Sequence, residues 1–245
     1  MTALPTPKIP TRRDEAWRYA DIDAVARLWP VPPAEVIALE PQEVREAALV
    51  AEDGIRDFAI TLPARARYDF RILSIAERYG RIVIDVTLHE GADFSLSVAQ
   101  IAGGEATVEI ITTVTHAQPG ATSRQVVRSV AGAGGTVTYL GKVAVAQGAQ
   151  QTDSEQDVKA MLLDRTATAN AKPELEIYAD DVKCAHGCAV GELDQQALFY
   201  MQSRGLSEAG AKRMLLQAFV AGVFDGADDA ERLQSLALKK LGELV

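Results

Sequence analysis

From residue 58 to about 178 the chain is a succession of short apolar runs, with nothing between them long enough to be a crossover helix. The runs are "FAITL", "DFRILSI", "RIVIDVTL", "DFSLSVA", "ATVEIIT", "QVVRSV", "TVTYL", "KVAVA" and "PELEIY". Most are rich in β-branched residues and bounded by Gly, Asp, Asn or Pro, the composition of strands. Several alternate with period two: Ile82, Ile84, Val86 and Leu88 share one face, and Phe94, Leu96 and Val98 share another. From the third run onward many starts fall about 10 to 13 residues apart. A chain built this way folds as a sandwich, a barrel or a stacked β-helix. Two features favour the stack. Two-residue hairpin signals are scarce, with Asp53-Gly54 outside the region and Gly103-Gly104 the best within it. Strands also follow one another across short gaps, as at Tyr139-Leu140-Gly141-Lys142, which suits a coil that turns without reversing.

The flanks have a different period. Residues 1–57 read as a helical segment. Thr11 to Asp14 forms a capping box that opens a short helix carrying Trp17 and Tyr19. "WPVPP" then breaks the chain, and a helix is expected from about 42 to 50. The β region spans 58–191. Residues 192–245 are helical again. Asp194 and Ser207 are placed as N-caps, with Gly205 just beyond the end of the first helix. The second helix carries an apolar stripe of Met214, Leu215, Ala218, Phe219 and Phe224, and the last carries Leu233, Leu236, Leu238 and Leu241.

Charge narrows the function classes. With 34 acidic against 25 basic residues, the net charge is −9, which argues against nucleic acid and anionic lipid as partners. The helix-turn-helix appearance of 194–224 is therefore not read as a DNA-binding element. No apolar run reaches membrane-spanning length, and "MTALPTPKIPTRRDE" lacks the apolar centre of a signal peptide. The expected compartment is the cytoplasm, where thiols stay reduced.

Both cysteines flank one of three histidines in "YADDVKCAHGCAVGELD", as Cys184, His186 and Cys188. A strand separates i from i+2 by roughly 6.5–7 Å, too far for two ligands to converge on one tetrahedral ion. A Cys–His nucleophile needs a third group to orient its base, and nothing marks an oxyanion hole. A disulfide across three residues of strand does not close. Two further readings stay open: small buried cysteines with a satisfied turn histidine, and a half-site completed by another subunit. His89 and His116 read as surface histidines.

"PELEIYADDVKC" (173–184), "HG" (186–187), "VGELD" (190–194) and "LFYMQSRG" (198–205) form one ungapped stretch that resembles the carboxy-terminal signature of the SufB/SufD family of iron–sulfur cluster assembly proteins. "PTRRDEAWRYADI" (10–22) is similar to the opening found on the SufD side. The resemblance implies a mainly β protein, a right-handed parallel β-helix with a helical amino-terminal segment and a helical carboxy-terminal subdomain. It also implies a scaffold without catalysis of its own, paired with a SufB-like protein through the β-helix. Its carboxy-terminal helices, about 192–224, would hold the ATPase SufC through Leu198, Phe199, Tyr200, Arg204, Met214, Leu215 and Phe219. ATP chemistry would belong to SufC, since this chain has no phosphate-cradling Gly-x-x-x-x-Gly-Lys-Ser/Thr loop. His186, with Cys184, would contribute to a transient cluster at the SufB–SufD junction, none being held stably by the chain alone. Asp180 or Asp181 could orient the imidazole. An isolated chain could pair with itself through the β-helix edge. The alternative enzyme reading is a polysaccharide-active β-helix. Two departures stand out. The chain is shorter than the better-known SufD proteins, and Cys188 replaces the alanine of "HGATVG", reading as a small buried turn residue.

Overall fold

The computed structural model describes residues 8–245. Twelve strands follow one another: β1 (Glu35–Ala38), β2 (Val44–Ala51), β3 (Gly54–Leu62), β4 (Arg67–Ser74), β5 (Tyr79–Leu88) and β6 (Asp93–Ala102), then β7 (Thr107–His116), β8 (Thr122–Ala131), β9 (Thr136–Val145), β10 (Thr152–Leu162), β11 (Thr168–Ile177) and β12 (Val182–Glu192). Odd strands form one parallel sheet, β1-β3-β5-β7-β9-β11, and even strands form the other, β2-β4-β6-β8-β10-β12. Each coil contributes one strand to each sheet, which is the stacked parallel β-helix. Register runs true along the stack: Arg67 pairs with Asp93, Asp93 with Thr122, and Thr122 with Asp153, each step slightly longer than the last.

The core lies between the sheets. Phe58, Ile60, Leu62, Tyr68, Phe70 and Ile72 meet Ile84, Val86, Leu88, Phe94, Leu96 and Val98 there. Each such side chain, once buried, contributes roughly 1.5–3 kcal/mol. Helices cover the outer faces. Asp194 caps α2 (Gln195–Ser203), its carboxylate accepting from the amides of Gln196 at 2.8 Å and Ala197 at 3.2 Å. Gly205 ends it with φ +95°, a conformation glycine adopts freely. Ser207 caps α3 (Glu208–Ala221), and α4 (Ala230–Gly242) closes the chain. Leu216, Val220, Phe224, Leu233, Ala237 and Leu241 from this subdomain pack on Leu73, Ala99, Ile101 and Val130 of the even sheet. Among the described residues no helix is long and apolar enough to cross a membrane.

The other sheet is pinned to the amino-terminal segment, which contains α1 (Ile22–Leu28). Arg81 and Glu109 pair at 3.1 Å, both side chains 1% exposed. The Tyr79 hydroxyl donates to the same carboxylate, while Arg81 donates to the Ala16 carbonyl at 2.7 Å and lies 3.8 Å from the Trp17 ring centroid. Removing one partner of such a pair strands a buried charge, at a cost of about 3–5 kcal/mol.

Several expectations are corrected. The helix expected over 42–50 is β2, and β1 precedes it, so strands begin inside the segment read as helical. Registered pairing with β4 overrides the alanine-rich helical spacing. "TVTYL" and "KVAVA" are one strand, β9, so Tyr139–Lys142 is no corner. The Thr11 amide and hydroxyl do donate to Asp14, at 2.8 and 3.2 Å, but the helix that follows is one 3-10 turn, Glu15–Trp17, and excludes Tyr19. On α3, Met214 and Ala218 face solvent; the buried stripe is Ala211, Leu216 and Val220. Strands β10 and β12 were absent from the sequence pattern.

Gly141 in β9 leaves room for the Tyr139 side chain. A methyl group on it would overlap the Tyr139 hydroxyl and ring edge, and that side chain is itself held by its hydrogen bond to Gln125. Gly141→Ala is expected to lower stability by about 1–3 kcal/mol, read as a reduced urea midpoint at unchanged slope.

Candidate functional site

Parallel register sets the inward side chains in columns. Tyr68, Phe94, Ser123, Ser154 and Cys184 form one, and Phe70, Leu96, Gln125, Gln156 and His186 form the next. Ile72, Val98, Val127, Val158 and Cys188 form a third. The first two columns change character along the stack, from aromatic and aliphatic to neutral polar, then to sulfur and imidazole. All three candidate ligands therefore share the inner face of β12, as alternation on a strand requires.

That face is open. β12 and β11 are the last strands of their sheets, each with one neighbour, so among the described residues no further coil stacks on them. Cys184 is partly buried against the core; His186 and Cys188 are exposed. Around them Ile177, Tyr178 and Val190 are exposed apolar residues. Cys188 is thus neither buried nor in a turn, which corrects the sequence expectation; its sulfur lies 4.0 Å from the Ala171 carbonyl. His186 likewise stands on a strand, not in a turn. Burial raises the Cys184 thiol pKa, with the Asp153 charge adding to it, and burial raises that of Cys188. Both favour the neutral thiol in the uncovered chain. Among the described residues, no three His, Cys, Asp or Glu side chains gather as a metal-holding group. Asp180 and Asp181 sit exposed at the corner before β12, where the Asp181 carbonyl accepts from the Gln151 amide.

Beneath the open coil lies a buried polar layer. His116 Nε2 and Ser123 Oγ are 2.9 Å apart, and Ser123 Oγ and Ser154 Oγ are also 2.9 Å apart. Beside this chain, Gln125 Oε1 accepts from Thr112 at 3.0 Å and from Tyr139 at 2.9 Å. His116 is fully buried rather than on the surface, and burial holds its imidazole down to about 4. Sequence reasoning missed this layer. Its one signal is that Thr152, Ser154 and Gln156 alternate with Asp153, Glu155 and Asp157.

The expected docking residues divide. Phe199, Tyr200 and Met214 are 74%, 58% and 53% exposed. Arg204 is also exposed, its guanidinium 5.2 Å from the Tyr200 ring centroid. Leu198 is buried, and Leu215 and Phe219 pack into the helix–sheet core. A cavity of about 260 Å³ lies away from the cysteines, between the amino-terminal segment and the odd sheet, with Glu15, Lys142 and Lys172 in its wall.

Residues 55–219 match the family model described as "SUF system FeS cluster assembly, SufBD core domain". "Iron-sulfur cluster assembly protein SufD" of Escherichia coli (strain K12) is 37% identical over 121 residues, covering 49% of this chain and 28% of that protein. "Protein ABCI7, chloroplastic" of Arabidopsis thaliana is 31% identical over 208 residues, 80% of this chain and 43% of that protein. A SufBD family protein of Synechocystis sp. is 30% identical over 168 residues, 68% of this chain and 37% of that protein. The chain therefore spans less than half the length of each of these relatives.

The buried imidazole yields a pH test. An unfolded histidine titrates near 6.5, and His116 near 4 when folded. As pH falls, the unfolded chain takes up this proton first, so the contribution is complete above about pH 6.5 and lost toward pH 4. The loss amounts to roughly 3 kcal/mol. Urea unfolding at pH 7 and 4.5 should show a smaller drop for His116→Gln than for the wild type. Equal drops would mean that the folded imidazole already titrates normally.

Proposed function

The chain belongs to the SufB/SufD family of iron–sulfur cluster assembly proteins and is SufD-like, and from that premise we propose that it is a scaffold subunit acting inside a SufB–SufC–SufD complex. Its uncovered last coil pairs with the SufB-like protein. His186 supplies one ligand to a cluster forming at that junction, with Cys184 beside it and the remaining ligands coming from the partner. The cluster is cargo, built there and passed on. The exposed face of α2 and α3 receives SufC, and ATP turnover by SufC moves the helices and, through their packing on the even sheet, the junction.

The observation that carries this reading is the position of His186 and Cys184 on the inner face of a coil with nothing over it. One ligand per chain removes the geometric objection, because no two side chains need converge along a strand. Burial raises the Cys184 pKa and disfavours the thiolate that iron needs, so the metal and the partner's charges supply the stabilisation that ionises it. The exposed pair Phe199 and Tyr200 supports the helical face, since aromatic residues anchor interfaces well.

Two experiments test the two halves separately. His186→Ala, copurified with SufB and SufC and reconstituted anaerobically with iron and sulfide, should lose the visible absorption of the cluster while keeping both partners. A normal spectrum would remove His186 from the ligand set. Phe199→Asp with Met214→Asp should weaken SufC binding at least tenfold by calorimetry, with SufB pairing unchanged; equal SufC affinity would move the docking face elsewhere.

A further inference from the structure

We propose that Gln156 is the positioning residue for His186, the acceptor that fixes the imidazole when it binds iron. The inference deepens the ligand role proposed above and rests on it.

A histidine that binds metal through one ring nitrogen has an N–H on the other, and that N–H needs an acceptor. Asp180 and Asp181, the carboxylates nearest in sequence, stand at the corner before β12, outside the column that contains His186. Gln156 is in that column, directly registered with His186 on the adjacent strand. Neighbouring strands lie about 4.8 Å apart, so the two side chains emerge side by side on one face.

The hydrogen bonding of the amide leaves its oxygen free. Tyr139 donates its only hydroxyl proton to Gln125 Oε1. Toward Gln156 it can therefore only accept, and it does so from Nε2 at 3.4 Å. That turns Oε1 away from the tyrosine. Gln156 is 0% exposed, and its Oε1 is buried without a hydrogen-bond partner among the described residues. An unmatched buried acceptor costs about 1–3 kcal/mol, so a donor that reaches it is favoured by the relief of that cost. In the free chain the His186 ring is exposed to water and has no need of the bond. Once a partner covers the coil, water is excluded, and the free acceptor on the registered residue becomes its outlet.

The test uses the assembled complex, with ferrous iron as the probe and chelator competition as the readout. Gln156→Leu removes the acceptor and should weaken iron binding by about 10–100-fold. Gln156→Glu keeps an acceptor oxygen and should stay within a few fold of the wild type. Unfolding midpoints of both variants are measured alongside. Loss in Leu with rescue in Glu supports the assignment, because a purely structural glutamine would not be rescued by a buried carboxylate. Unchanged affinity in Gln156→Leu overturns it, as does equal loss in both variants. If His186→Ala binds iron normally, the ligand role and this inference fail together. If His186→Ala loses iron and Gln156→Leu does not, only the positioning role fails.

Discussion

Registered parallel stacking is the constraint on which everything else in this molecule depends. A side chain on the inner face of one coil rests on its counterpart in the next, and neither can shift without moving the whole ladder. Position on the inner face is therefore inherited along the stack from Phe94 to Cys184 and from Leu96 to His186. The same rule that buries an aromatic residue in an early coil puts a thiol and an imidazole in the corresponding place of the last one. They are accessible only because the stack stops there.

The division of labour follows from this geometry. Coils built on Phe58, Tyr68, Phe70, Phe94 and their aliphatic neighbours supply burial. The coils nearest the open end replace part of that apolar filling with Thr112, Ser123, Gln125, Ser154 and Gln156, whose stability comes from hydrogen bonds and carries unmatched atoms with it. Polar groups under a dry core are a cost unless paired. Here they lie directly beneath the residues whose chemistry requires oriented partners.

The sequence disclosed the parallel stack wherever the inward residues were apolar, and it concealed the stack where they were not. β5 and β6 were legible from Ile82 to Val98 because alternation and hydrophobicity coincide. β10 and β12 were not, since Ser154, Gln156, Cys184 and His186 occupy inward positions and break the apolar period. β2 carries Ala47 and Ala48 at a spacing that also suits a helix, and only its partner β4 decides the matter. His116 was read as exposed because a lone histidine near a strand end shows no sign of the serine that waits for it in the next strand. Residue chemistry around Cys184 left several readings open; family resemblance chose among them, and the uncovered position of β12 is compatible with that choice.

The terminal placement of β12 has a kinetic side. In a solenoid each unit touches only its neighbours, so opening begins at the ends and travels inward. β12 is joined to one strand, β10, along its whole length. Its amides therefore belong to the least protected part of the sheet, exchanging with solvent through local fraying rather than global unfolding. Whatever seats itself on that edge supplies the missing neighbour and moves the frayed end into the interior, so that ordering of the strand and occupancy of the junction become a single thermodynamic event.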